Sequence, residues 1–224
     1  MDKVEIFENE RATGYNQFVE TWIPNYHYFL GRLPKLLSET EKKDLLIVGC
    51  GTGNEIEGFI QAPEHWEITG IDPSPEMIKQ ANEKLQHYEN VTLIEGLLSD
   101  IDVEPKYGAA TLLLVLHHLE DDGSKLKLLK DIAERLVSGA ALVMLDITGD
   151  KNQIRQNLKV LKFLLPDGLD EEQVSNRLNR IEKELYYISE ERLSELCSEA
   201  GFEVPLRFFQ SAIYKGWLTK KKLT

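Results

Sequence analysis

Residues 44–55 read DLLIVGCGTGNE: an apolar run stops at three glycines on alternate positions, and Asn54 and Glu55 then open a helix. A run this short and this apolar reads as a strand buried on both faces, as in parallel sheets. Gly49, Gly51 and Gly53 have no Cβ, so the turn can adopt positive φ and its backbone can lie close to a ligand. Further short apolar runs follow, EITGID (67–72), VTLIE (91–95), AATLLLV (109–115) and ALVMLDI (141–147). Helical stretches separate most of them. SPEMIKQANEKL opens with a serine cap and a proline at the first helical position, and Leu126, Leu129, Ala133 and Leu136 form one stripe within 125–137. A last helix (190–200) ends at Gly201, and VPLRFF and YKGWLT read as a closing antiparallel pair. The alternation predicts an α/β fold, a doubly wound, seven-stranded, Rossmann-like sheet.

Two segments stand outside that alternation. Residues 16–37 carry Phe18, Trp22, Tyr26, Phe29 and Leu33 at helical spacing, interrupted by Pro24. Residues 151–187 carry two amphipathic stripes, Ile154/Leu158/Leu161/Leu165 and Val174/Leu178/Ile181/Leu185, with PDG between them. The expected organisation is a single domain over 1–224, with an N-terminal helical lid (1–40) and a helical cap (150–188) inserted after the fifth strand.

Composition narrows the partners. Lys and Arg number 26 against 38 Asp and Glu, a net charge of −12, which gives no electrostatic reason to bind nucleic acid or an anionic membrane. Lys220 to Lys222 read as a solvated tail. No apolar run approaches a membrane span, and the acidic amino terminus does not read as a signal peptide. Cys50 and Cys197 form neither a disulfide framework nor a metal spacing. A cytoplasmic protein without a metal is expected. Homodimerisation is left open.

The glycine turn admits three nucleotide readings. A P-loop needs Lys-Ser/Thr after its glycines, and GTGNE has none. A dinucleotide fingerprint needs G-x-G-x-x-G, but its third glycine would fall on Asn54 or Ile56. The third pattern, G-x-G-x-G with an acidic residue ending the second strand, is met by Asp72, placed to accept from both ribose hydroxyls.

With that pattern, LLIVGCGTGNE, GIDPSPEMIKQA, VTLIEG, LLVLHHLED and AGFEV stand in the order of the motifs of class I S-adenosylmethionine-dependent methyltransferases, which the chain resembles over 45–204. Within that superfamily it is similar to the carboxy-S-adenosylmethionine synthase branch. IPNY (23–26) stands before the sheet, as that branch's Val-Pro-Gly-Tyr does, and the insertion after strand five and the GFEVPLRFFQS ending are also alike. The resemblance implies S-adenosylmethionine as cofactor. It implies that Tyr26 closes over it, that Gly49 to Gly51 meet the methionine portion, and that Asp72 and Pro73 hold the ribose. Cys50, Gly53, Met77, Leu97, Leu98 and Leu113 complete the expected lining.

Three positions depart from the pattern. Methyltransferases commonly carry an acid two places before the first glycine, where this chain has Ile47. An aspartate that accepts from the adenine amino group is replaced by Leu97, with Ser99 or Asp100 as an alternative source of that contact. Leu113 replaces a polar residue of the synthase branch. Leu178 stands where that branch's carboxylate-binding arginine would, between Arg177 and Arg180, so ordinary rather than carboxylated cofactor is expected.

The chemistry is less marked. Methyl transfer needs alignment of a nucleophile with the sulfonium methyl, and a base when the acceptor is a hydroxyl. His118, in the His117-His118 pair after strand four, is the weak catalytic candidate. The alternative is that the pair ends the strand and caps the next turn. Cys197 reads as core, and Trp22, Tyr26, Phe29, Tyr186 and Tyr187 as packing or an acceptor pocket. The expected activity is methyl transfer to an unidentified small molecule. The alternatives are a cofactor-binding protein without catalysis and a synthase that modifies the cofactor itself.

Overall fold

The structure, a computed structural model, describes residues 6–223, so the first five residues of the expected lid lie outside it. Seven strands form one sheet in the order β3-β2-β1-β4-β5-β7-β6. They are β1 (Asp44–Val48), β2 (Glu67–Asp72), β3 (Val91–Glu95), β4 (Tyr107–Leu113), β5 (Leu136–Ile147), β6 (Leu206–Ser211) and β7 (Tyr214–Lys220). The first five pair in parallel, while β7 runs antiparallel to both β5 and β6. Side-chain alternation divides the central strands between two cores. Leu45 and Ile47 pack on one face and Leu46 and Val48 on the other. That is why β1 reads as an unbroken apolar run.

Among the described residues four short helices precede the sheet: α1 (Asn9–Thr13), α2 (Tyr15–Trp22), α3 (Tyr26–Leu30) and α4 (Leu33–Leu36). The helical spacing over 16–37 is therefore broken twice. Pro24 prevents α2 from continuing, Asn25 enters the left-handed region (φ 66°), and Gly31 and Arg32 separate α3 from α4. Crossovers α5 (Ile56–Ile60), α6 (Pro75–Leu85) and α7 (Ser124–Glu134) link the strands.

The expected strand 109–115 ends earlier, at Leu113, because Leu114 takes a left-handed φ of 61° and turns the chain off the sheet. Leu136, assigned to a helical stripe, instead begins β5. After β5, α8 (Lys151–Leu164) and α9 (Glu171–Glu184) form the insertion, followed by α10 (Glu190–Glu199). The α8 start is fixed by Asp150, whose Oδ1 accepts from the amides of Asn152 and Gln153. Arg155 ties the two helices to each other through Glu182, at 2.9 Å.

Strand order reverses at β1, between β2 and β4. Connections from the carboxyl ends of β1 and β4 leave in opposite directions there and open a crevice.

Candidate functional site

The crevice is a cavity of about 420 Å³. Its floor is the β1–α5 turn, where Gly49, Gly51 and Gly53 all have positive φ (76°, 51° and 76°). The three are not equivalent. A Cβ on Gly49 would lie 2.4 Å from Val115 Cγ2, and one on Gly53 2.7 Å from Leu85 Cδ1. On Gly51 the nearest atom would be Tyr15 Cε1, at 3.8 Å, so here the missing side chain leaves open space facing the cavity. Gly49 and Gly51 line it, whereas Gly53 serves packing against α6.

Asp72, at the end of β2, is buried beside this turn. Its Oδ2 accepts from the Gly51 amide and its Oδ1 from the Ser74 amide, each at 2.9 Å. Burial raises the carboxyl, and these two bonds, with one from the Ser74 side chain, oppose the rise. A carboxylate has about four acceptor sites, more than these donors fill, so Asp72 can both hold the turn and accept from a ligand. Pro73, Met77, Leu97, Leu98 and Leu113 line the same cavity. So does Ser99, whereas Asp100 turns back to accept from the Leu97 amide at 2.8 Å.

The N-terminal helices close one side. Asn16 Oδ1 accepts from Thr52 Oγ1 (2.6 Å) and Asn54 Nδ2 (2.9 Å), tying α2 to the glycine turn. The Phe7 amide donates to Ser74 Oγ at 2.9 Å, and the Phe7 ring meets Tyr15 and His118 edge-on. Phe7 and Tyr15 were missed in the sequence: a lone aromatic in a polar stretch and a tyrosine at a helix start have no pattern pointing at a distant turn. Tyr26 lies apart from the main cavity. With Cys50, Thr52, Asn54 and Glu55 it lines a second, smaller cavity beneath the turn, of about 20 Å³.

Opposite the glycine turn stands a short turn after β4, Leu116–His118. His117 is buried, lines the main cavity, and places Nδ1 2.8 Å from Asp146 Oδ1 on β5. The other Asp146 oxygen accepts from the Leu116 amide at 2.9 Å. Burial alone would raise the Asp146 carboxyl, but the charge and hydrogen bond of His117, with Lys125, hold it below the usual carboxylate range. An ionised carboxylate only accepts, so Nδ1 carries a proton, and in the neutral tautomer the lone pair is on Nε2. Buried Lys125 donates to the carbonyls of Leu116 and Tyr186, and the Tyr186 amide donates to His117 O at 3.0 Å. The end of the insertion thereby fixes the histidine turn. His118 also lines the cavity, against Phe7.

From the insertion, Arg177 and Arg180 reach the cavity wall, whereas Leu178 packs on the core. The Arg177 guanidinium lies 3.9 Å from the centre of the Phe18 ring, and Arg180 pairs with Glu184 at 3.1 Å. Among the described residues no His/Cys/Asp/Glu group could hold a metal, and no helix is long and apolar enough to cross a membrane.

A family model described as a methyltransferase domain matches residues 46–142. A carboxy-S-adenosyl-L-methionine synthase of Yersinia pseudotuberculosis is 26% identical over 96% of this chain and 92% of its own length. Among solved structures, the plantazolicin methyltransferase BpumL, in complex with S-adenosylhomocysteine, superposes with a TM-score of 0.70 at 13% identity, covering 96% of this chain and 92% of that one. Human N-acetylserotonin methyltransferase, in complex with S-adenosylmethionine, gives 0.58 at 19% identity, covering 93% of this chain and 60% of the human one.

Proposed function

We propose that this chain, which matches a methyltransferase-domain model over residues 46–142, is a class I S-adenosylmethionine-dependent methyltransferase that moves the cofactor's methyl group to a small molecule held in the main cavity. The observation that carries this reading is that one cavity joins the glycine turn and Asp72 to the His117–Asp146 pair. The residues present fit the cofactor: Gly51 leaves the space a Cβ would fill, and Asp72 keeps acceptor capacity for a ribose hydroxyl. When bound, S-adenosylmethionine supplies a methyl group on a positively charged sulfur, which makes it electrophilic. Asp72 and Pro73 hold the ribose end, and Gly49 to Gly51 border the methionine portion. Met77, Leu97 and Leu98 offer apolar contact to the adenine, with Ser99 beside them. The N-terminal helices act as a lid that excludes water. His117 Nε2 takes the proton of a hydroxyl acceptor, and Asp146 keeps the ring in the required tautomer and orientation.

Calorimetric titration with S-adenosylmethionine and S-adenosylhomocysteine tests the first half of this reading, and failure to bind either removes it. An acceptor screen that reports S-adenosylhomocysteine release tests the second half, and binding without turnover on any acceptor would leave a cofactor-binding protein. Asp72→Ala is expected to weaken cofactor binding about 10- to 100-fold, the loss of hydrogen bonds to a charged group at about 1.5–3 kcal/mol. Unchanged affinity would remove Asp72 from the ribose site.

A second reading, a carboxylated cofactor, is favoured by one observation. Arg177 lines the cavity, next to the position where Leu178 stands for the synthase branch's arginine. A guanidinium matches a carboxylate in a bidentate pair. If the protein selects the carboxylated form, that form binds more tightly than S-adenosylmethionine, and Arg177→Ala removes the difference, about tenfold or more, as expected for a charge-assisted pair. Equal or weaker binding of the carboxylated form leaves ordinary S-adenosylmethionine as the cofactor.

A further inference from the structure

Glu55 is unexplained by the site as described so far. It precedes α5, yet its side chain does not cap that helix. Instead Glu55 Oε1 accepts from Thr111 Oγ1 of β4, at 2.7 Å, deep between β1 and β4. It is 6% exposed. Burial pushes its carboxyl up to about 7, against the pull of the Thr111 hydroxyl. A carboxylate withdrawn from water costs stability unless something compensates it.

The small cavity suggests what compensates it. Glu55 lines it with Tyr26, Thr52 and Asn54, and Tyr15, Gly49, Leu113 and Leu114 border both this cavity and the main one. At about 20 Å³ it has room for one water, which needs roughly 10–15 Å³ and two to four polar partners. The lining the two cavities share includes Gly49, where the proposed reading puts the cofactor's amino-acid tail. That tail ends in an ammonium and a carboxylate, and among the described residues Glu55 is the only carboxylate lining the small cavity.

We propose that Glu55 is the positioning residue for the α-ammonium of the cofactor's amino-acid tail, acting through one water held in the small cavity. The inference rests on the cofactor reading above. Thr111 aims the carboxylate, and the tail's positive charge is drawn to the Gly49 end of the crevice. The ionisable groups around Glu55 are Tyr15 and Tyr26 from the N-terminal helices and Cys50 from the turn, all pushed upward by burial and therefore neutral near pH 7. Asp72 lies beyond the turn, and Lys84 of α6 reaches the neighbouring Asn54 side chain at 2.8 Å.

The test compares two ligands by calorimetry at pH 8: S-adenosylhomocysteine, which has the tail, and 5′-methylthioadenosine, which lacks it. Glu55→Gln keeps an oxygen for Thr111 and removes only the charge. It is expected to weaken S-adenosylhomocysteine about tenfold, the order of a charge-assisted hydrogen bond, and to leave methylthioadenosine within about twofold. Unchanged affinity for S-adenosylhomocysteine, or an equal loss for both ligands, overturns the proposal while the cofactor reading stands. Failure of the unaltered protein to bind either ligand overturns both. Should Glu55→Gln not fold, the unaltered protein carries the test through pH. Between pH 8 and 6 the affinity for S-adenosylhomocysteine falls as Glu55 takes up a proton, while that for methylthioadenosine does not follow. A parallel response of the two ligands overturns the proposal.

Discussion

Gly51→Val is expected to remove detectable cofactor binding from a protein that still folds. The side chain would project into the crevice at the point where the turn borders the methionine portion. Its cost to the fold is limited because a Cβ there meets nothing closer than 3.8 Å. What remains is the left-handed φ of 51°, which costs an L-residue roughly 1–2 kcal/mol and a β-branched one somewhat more. Neither neighbour offers so clean an experiment. A side chain at Gly49 runs into Val115 and one at Gly53 into Leu85, at 2.4 and 2.7 Å, so loss of binding there would be confounded with loss of fold. The measurement is a thermal melt beside a calorimetric titration with S-adenosylhomocysteine. A folded Gly51→Val protein that binds normally would mean the turn is not the cofactor site.

Where the chain could be read in advance, the reason is periodicity. The run at 45–48 is buried on both faces of the sheet, and nothing but a central strand accounts for four consecutive apolar residues ended by glycine. The β6–β7 antiparallel pair and the two insertion helices were equally plain, since Ile154, Leu158 and Leu161, then Val174 and Ile181, are the residues buried. Boundaries set by tertiary contacts were not. The strand before the histidine turn stops at Leu113 because Leu114 bends away from the sheet, and no local propensity in LLLV signals that.

The site divides along the same line. Asp72 and the glycines announced themselves by spacing, because a strand–turn–helix unit fixes where they sit. Ile47 suggested that a charge near the turn had been lost. Yet eight residues on, Glu55 enters the space under the turn by pairing with Thr111, which is in register with Ile47 on the adjacent strand. Sequence order alone could not bring those together. Arg177 was legible only as a neighbour of Leu178, since a small rotation about the α9 axis decides which residue meets the cavity and which the core. The histidines were read as a pair. What separates them is Asp146, on another strand, and nothing in LLVLHHLED indicates which ring it will face.

That separation makes the second large prediction. With a hydroxyl acceptor, His117→Ala is expected to lower turnover about 10²–10⁴-fold, the usual contribution of a positioned base. S-adenosylhomocysteine affinity should hardly change, because His117 stands across the cavity from the glycine turn and Asp72. His118→Ala should cost far less, since the carboxylate that orients a ring belongs to His117, with Nδ1 and Asp146 Oδ1 at 2.8 Å. Asp146→Asn acts through the histidine. The amide offers one acceptor oxygen where the carboxylate now serves His117 and the amides of Leu116 and Ile147, so the imidazole loses its fixed tautomer. Its signature is a fall in kcat with KM for the cofactor nearly constant. Were His117→Ala to turn over as fast as the unaltered protein, the pair would only end β4 and brace the insertion. Alignment with the sulfonium methyl would then be sufficient for catalysis.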